Sequence, residues 1–391
     1  MSTPSDLVHD ALTLGKALMA RGHEALFIAG DVVSLVDHGG GWLPTELHQA
    51  PVLRPAPHLV MKRPNPDGLA DHMAAMGFDD KRALVALATV WDRQLAALRP
   101  DVIVGFHTPM AWLVGPDQAP TFALGNGLAL PPLADRSYPR LSPQSTPLAD
   151  DDFLLENANA ALSRLGRPSL AALSEILARC EAIQYGLPAF DPYLQLRRTV
   201  SAGLLGDRAT GPAAPPVEAR LLVTLDVYCP GVEMIALAVA GFDRTPADVH
   251  IASAPASMRR FLEHQPHVRL WSDQAALLED AAAATVLVHH GEQNVAQRAL
   301  VLGRPQLMIP WTPEQILLQQ CTGWMGCVWE KKPTVSIDEM AGTFRSILKD
   351  HSLSVAAQHH ARQLASADLP DALPGIVARI EARGPAQRSP A

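Results

Sequence analysis

The chain has 391 residues, more than one ordinary hydrophobic core accommodates, and reads as two domains. Apolar residues make up 48% and charged residues 18%, which excludes a disordered chain, and the formal net charge of −8 leaves no basic footprint for nucleic acid. Four cysteines, Cys180, Cys229, Cys321 and Cys327, are too few and too scattered for a disulfide framework or a paired-cysteine metal site, so reduced thiols in a cytoplasmic protein are the simplest reading.

The start does not read as a secretory signal, because only His9 precedes Lys16 as a basic residue. Leu7, Ala11, Leu14 and Leu18 recur at helical spacing up to Gly22, and Ala25 to Ala29 (ALFIA) predicts a buried strand. A second helix is carried by Leu84, Leu87, Ala88, Trp91, Leu95 and Leu98, followed by strands at Asp101 to Gly105 and Pro120 to Leu124. Residues 30–66 and 126–150, rich in Pro, Gly and Asp, read as loops. Gly125-Asn126-Gly127 reads as a turn, and Asp150-Asp151-Asp152 as a solvated helix start rather than a metal site.

Residues 203–216 (GLLGDRATGPAAPP) read as a linker. A second α/β run follows, with strands at Arg220 to Leu225, Val249 to Ala252, Val268 to Leu270, Thr285 to Val288 and Gln306 to Ile309. Helices near 354–365 and 374–382 close the chain. No apolar run reaches the roughly 18 residues that span a bilayer. The division is an N-terminal domain at 1–200, a linker at 201–216, a C-terminal domain at 217–350, terminal helices at 351–384 and a frayed tail at 385–391.

The most informative stretch runs from His289 to Gln315 (HHGEQNVAQRALVLGRPQLMIPWTPEQ). It is a strand–turn–helix–strand unit with histidines at the carboxyl end of its first strand, the edge at which open α/β sheets bind ligands. A helix N-terminus directly after a strand favours a phosphate. Thr312-Pro313-Glu314-Gln315 is also a capping box with proline at the first helical position.

This stretch resembles the bacterial nucleotide-sugar-dependent glycosyltransferases of the UDP-glycosyltransferase type. They read HHGG-x-GT-x-x-EAL-x-x-G-x-P-x-L-x-x-P-x-x-x-(D/E)Q. His289, His290, Gly291, Ala299, Leu300, Gly303, Pro305, Leu307, Pro310, Glu314 and Gln315 stand at matching spacing. Trp271 to Gln274 before Leu277-Leu278 is similar to a second family segment. Leu12 to Ala29 and Arg99 to Val104 resemble its N-terminal ones. The match is specific over about 268–320 and weak in between.

The resemblance implies an α/β fold of two Rossmann-like domains facing across a cleft (GT-B). It implies inverting, metal-independent sugar transfer from a UDP or dTDP donor to a hydroxyl of a small or lipid-like acceptor, with no cofactor. It places the ring of His290, with Gly291 beside it, at the pyrophosphate. Gln293, Asn294 and Val295 would add helix-terminal amides. Trp271 would stack on the base, Gln274 would bind base or ribose, and Glu314 and Gln315 would bind sugar hydroxyls. His107, after its strand, would line the acceptor cleft.

Four positions depart from the family pattern. Glu292 and Asn294 replace glycines, Val295 replaces a hydroxyl residue, and Arg298 replaces the glutamate that grips the ribose diol. A carboxylate 4–6 Å from a phosphate costs about 3–4 kcal/mol per charge pair, less if Glu292 turns to solvent. Arg298 has no acceptor lone pair and could instead contact a phosphate. The family's general base falls on Leu7, two residues before His9, the nearest candidate. The opening MSTPSD is not a strand, so the N-terminal sheet is expected to lack its first strand, with a longer upstream reading frame favoured. Two alternatives stay open: a non-catalytic member that binds a ligand or partner, and a UDP-sugar epimerase of the same fold.

Overall fold

The computed structural model describes residues 5–38, 42, 44, 46–52, 67–133, 136–141, 146–206, 211–332, 336–367 and 369–384. The first half carries α1 (Ser5–Ala20), β1 (Leu26–Ala29), α2 (Val32–His38), β2 (Glu46–Gln49), α3 (Leu69–Met73), α4 (Lys81–Leu98), β3 (Ile103–Phe106), α5 (Pro109–Val114), β4 (Thr121–Asn126), α6 (Asp151–Arg164), α7 (Glu175–Ala178) and β5 (Glu181–Tyr185). The second carries β6 (Leu221–Asp226), α8 (Val232–Gly241), β7 (Ala247–Ala252), α9 (Ala256–Glu263), β8 (Val268–Leu270), α10 (Gln274–Glu279), β9 (Val286–His289), α11 (Gln293–Leu302), β10 (Gln306–Met308), α12 (Pro313–Thr322), β11 (Val328–Glu330), α13 (Ile337–Lys349), α14 (His351–Ser366) and α15 (Ala372–Glu381). Two compact units result. One comprises Met1–Leu12, Val33–Leu43 and Asp207–Pro370; the other comprises Thr13–Val32, Pro44–Gly206 and Asp371–Ala391.

In the second of these units the strands fall into two parallel sheets, β1-β2 and β3-β4-β5. Among the described residues β1 pairs only with β2, and β3 only with β4. β4 is buried at every residue because it is central and covered on both faces. Phe122, Leu124, Ile183 and Tyr185 share a core with Leu14 of α1 and with Ile376, Val377 and Ile380 of α15. The last helix therefore returns to the sheet formed by the first half. Glu381 meets Arg21 at 2.7 Å and His23 at 2.9 Å, and Arg379 meets Glu181 at 2.8 Å. These surface pairs orient the helix; the apolar core holds it.

The other unit holds one six-stranded parallel sheet in the order β11-β10-β9-β6-β7-β8. The chain steps outward from β6 to β7 and β8, then returns to the far side at β9. The strand order thus reverses between β6 and β9, and in such a sheet ligands bind outside the carboxyl ends of the strands at that point. Val223, Leu225, Val249, Val286, Val288 and Leu307 are buried against Ile235 and Val239 of α8 and Phe344 of α13.

The predicted strands of both halves lie within two residues of the observed ones, with two corrections. Residues 30–66 are not all loop: α2 and β2 lie there, and residues 53–66 fall outside the described ones. β2 reads ELHQ and has no apolar alternation to reveal it. β1 is half-buried throughout rather than buried, since it is paired on one edge only. Two smaller readings hold. Asp150 caps α6 through the amides of Asp152 and Phe153, and Asn126 accepts from the amides of Leu128 and Ala129 to close the turn after β4. Residues 385–391 and 207–210 lie outside the described residues.

Candidate functional site

The carboxyl ends of β6 and β9 bring Asp226 and His289-His290-Gly291 together. The two histidines are fully buried, and each has both ring nitrogens engaged. His290 Nε2 accepts from the Asp226 amide at 2.8 Å, which places its proton on Nδ1, donating to the Ile309 carbonyl at 3.3 Å. His289 Nδ1 accepts from the Gly291 amide at 3.1 Å, and its Nε2 faces Gln306 Oε1 at 3.0 Å. Burial lowers both rings to about 4, so both are neutral near pH 7. The two bonds of His290 tie the end of β6 to the segment after β10 through its ring, the group that the resemblance places at a pyrophosphate.

Gly291 has φ +106°, and an added Cβ would sit 3.2 Å from Gln315 Cβ and 3.3 Å from the Gln315 carbonyl oxygen. Glycine is required here for backbone conformation and for the close approach of α12. The close neighbour is therefore Gln315, where the resemblance would put a phosphate. Gln315 completes the capping box of α12. Its Oε1 accepts from the amides of Trp311 (3.0 Å) and Thr312 (3.2 Å), and its own amide donates to Thr312 Oγ1 at 3.4 Å. The side-chain oxygen expected on a sugar hydroxyl thus caps the helix. Glu314, beside it, is half-buried.

α11 begins at Gln293 with Glu292 as its N-cap residue. Glu292 does not turn to solvent. It is buried, and Gln274 Nε2 lies 3.4 Å from its Oε2 and 2.6 Å from Thr224 Oγ1. A carboxylate therefore stands at the helix N-terminus where an anion would be seated. Gln293 is buried beside it. Asn294 Oδ1 accepts from the Val295 amide at 2.7 Å, and the Val295 side chain lies in the core, so that residue offers a ligand neither hydroxyl nor amide. Arg298 Nε donates to the Leu278 carbonyl at 3.2 Å.

Trp271 follows β8, half-buried. Its indole nitrogen donates to Asp248 Oδ1 at 3.0 Å, and the Arg269 guanidinium covers the ring at 3.8 Å from the centroid. Gln274 and Trp271 stand at the carboxyl edge of the sheet, with one face of the indole already stacked. His107 immediately follows β3 in the other unit, and His9 lies within the part of α1 that belongs to this one; both are partly exposed. Sequence reasoning passed over Thr224, Asp226 and Gln306, whose only signal is a polar residue in or at the end of an apolar strand.

No family model matches the chain, and no curated protein matches it. Solved structures do. The chain is similar to the glycotransferase of kitacinnamycin (18% identity, 98% of both chains, TM-score 0.61). It is similar to the spinosyn rhamnosyltransferase SpnG (15% identity, 97% of this chain and 98% of that one, TM-score 0.60). It is also similar to the glycosyltransferase VinC in complex with dTDP (14% identity, 98% of both chains, TM-score 0.54). The likeness runs the whole length, and the fold is the GT-B fold of these glycosyltransferases.

Proposed function

We propose that this chain is a glycosyltransferase that moves a sugar from a nucleotide diphosphate donor to a hydroxyl of a small or lipid-like acceptor, inverting the anomeric carbon without a metal. The observation that carries this reading is full-length likeness to glycosyltransferases in a chain whose strand order reverses beside the start of α11. VinC was solved with dTDP and SpnG with thymidine diphosphate, which favours a dTDP donor over UDP. SpnG was also solved with a spinosyn aglycone, which fits the small or lipid-like acceptor proposed here.

In this reading the dipole and first-turn amides of α11 meet the diphosphate, and charge builds there as the sugar departs. Trp271 and Gln274 flank the nucleoside, and Glu314 takes sugar hydroxyls as an acceptor of hydrogen bonds. His290 acts indirectly by fixing the loop geometry, and Arg298 reinforces the diphosphate side.

A second reading, a protein that binds a nucleotide or partner without turnover, is favoured by the buried Glu292 carboxylate at the anion corner. Calorimetric titration with dTDP and UDP in EDTA, followed by mass spectrometry of products from a panel of nucleotide sugars and alcohols, separates the two. Binding with product is the expected result. Binding without product from any donor supports the second reading, and no binding at all defeats both.

A further inference from the structure

We propose that the unit carrying β3-β4-β5 holds a further binding site, at the amino edge of that sheet, for a small carboxylate with an apolar body. A cavity of about 430 Å³ opens there between the end of α4, the approach to β3, the turn before β4 and the residues after α6. Ligand pockets run from about 300 to 1,000 Å³, so the space suits a small molecule. Every residue that lines it belongs to the unit comprising Thr13–Val32, Pro44–Gly206 and Asp371–Ala391. Pro100 precedes β3 and Gln118 precedes β4, so the cavity lies at the amino ends of these parallel strands. Open α/β sheets bind their substrates at the opposite edge.

The polar wall is a fixed network. Arg167, with a side chain only 13% exposed, pairs with Asp92, meets Asp117 at 3.3 Å and donates to the Val114 carbonyl at 2.7 Å. Arg179 meets Asp117 at 2.5 Å. Gln118 Nε2 donates to the Asp92 carbonyl at 2.9 Å and to its carboxylate at 2.6 Å. Within this network two carboxylates balance two guanidiniums. Arg99 adds a third guanidinium at the rim, and among the described residues no carboxylate pairs with it, Asp101 included.

Arg99 ends α4 at φ +49°, the left-handed cap position that glycine ordinarily fills. The chain thus carries a cationic side chain where the backbone favours none. Leu95, Ala96 and Pro100 supply the apolar wall. A guanidinium fork matches a carboxylate through two parallel hydrogen bonds. One uncompensated positive charge suits a monoanion, and Asp92 and Asp117 oppose a second negative charge. The apolar wall gains from hydrocarbon and not from a strongly hydrated phosphate.

The test titrates the intact chain with benzoate, benzyl alcohol and inorganic phosphate at fixed ionic strength, by calorimetry and by thermal melt. Benzoate should bind and raise the unfolding midpoint, and phosphate should bind more weakly. Benzyl alcohol, which keeps the ring without the charge, should bind at least about tenfold more weakly than benzoate. Arg99→Gln keeps the Cβ and so the backbone conformation, and it should weaken benzoate at least about fivefold, while Arg99→Glu should abolish binding. Both variants should melt with the wild type when no ligand is present, since the side chain has no ion pair to lose. Arg345→Gln, in the other unit, should leave benzoate binding unchanged. No benzoate binding, equal binding of benzyl alcohol, tighter binding of phosphate, or an affinity indifferent to Arg99 would overturn the assignment. Displacement of benzoate by dTDP would place it in the nucleotide corner and overturn it as well.

Discussion

In the proposed reading, Glu292 decides how well a diphosphate is held at the start of α11. Its carboxylate is buried, hydrogen-bonded to Gln274 and one residue from the first turn of the helix. Water cannot screen it as it would an exposed side chain, so its repulsion of a diphosphate is of order 3–4 kcal/mol at 4–6 Å. Glu292→Gln keeps shape and hydrogen-bonding capacity while removing the charge. We expect dTDP to bind the variant at least about tenfold more tightly by calorimetry, well within that repulsion. Unchanged affinity would mean that the carboxylate does not face the phosphates. His290 belongs to another class of residue. Its ring closes two backbone hydrogen bonds in a buried position, so its loss weakens the scaffold before it touches chemistry.

At the scale of elements, the corner is set by how closely α12 approaches the turn before α11. Gly291 makes that approach possible, through a positive φ and the absence of a Cβ beside Gln315. Gly291→Ala should destabilise the fold by about 1–3 kcal/mol, because strain and contact add. Gly342, inside α13 with nothing near its absent Cβ, is the control: Gly342→Ala should stabilise by about 0.5–1 kcal/mol. Thermal melts of the two variants should shift in opposite directions, and a shared direction would refute this account. The capping box of α12 and the αL Gly303 that ends α11 were both legible in the sequence, since caps are written within four residues. β2 was not, because a short half-buried strand without alternation has no local signature.

At the scale of the whole molecule, the buried histidines couple folding to pH. Both rings titrate near 4 in the folded chain and near 6.5 when unfolded, so the unfolded chain binds more protons as pH falls. Their contribution is fully present above 6.5 and is lost as pH falls from there through 4, up to about 3 kcal/mol for each ring. Between pH 6.5 and 5, where most carboxylates stay ionised, the unfolding midpoint of the unit that holds them should fall steadily. A His289→Gln, His290→Gln double variant should have a flatter profile, and equal slopes would show that the rings do not carry the dependence.

The sequence by itself determined the alternation of strands and helices, the position of the histidine-bearing turn and the likeness to glycosyltransferases, because periodicity, caps and motif spacing are properties of neighbouring residues. The partners of the side chains were decided only by the tertiary structure. Gln274 meets Thr224 across 50 positions, and His290 meets the Asp226 amide across 64. α15 returns to cover a sheet made nearly two hundred residues earlier. Parallel strands must be joined by crossovers, so the groups that share a sheet edge are far apart in the chain. Which polar atoms satisfy one another there, and which remain for a ligand, follows from the strand order and not from the local pattern.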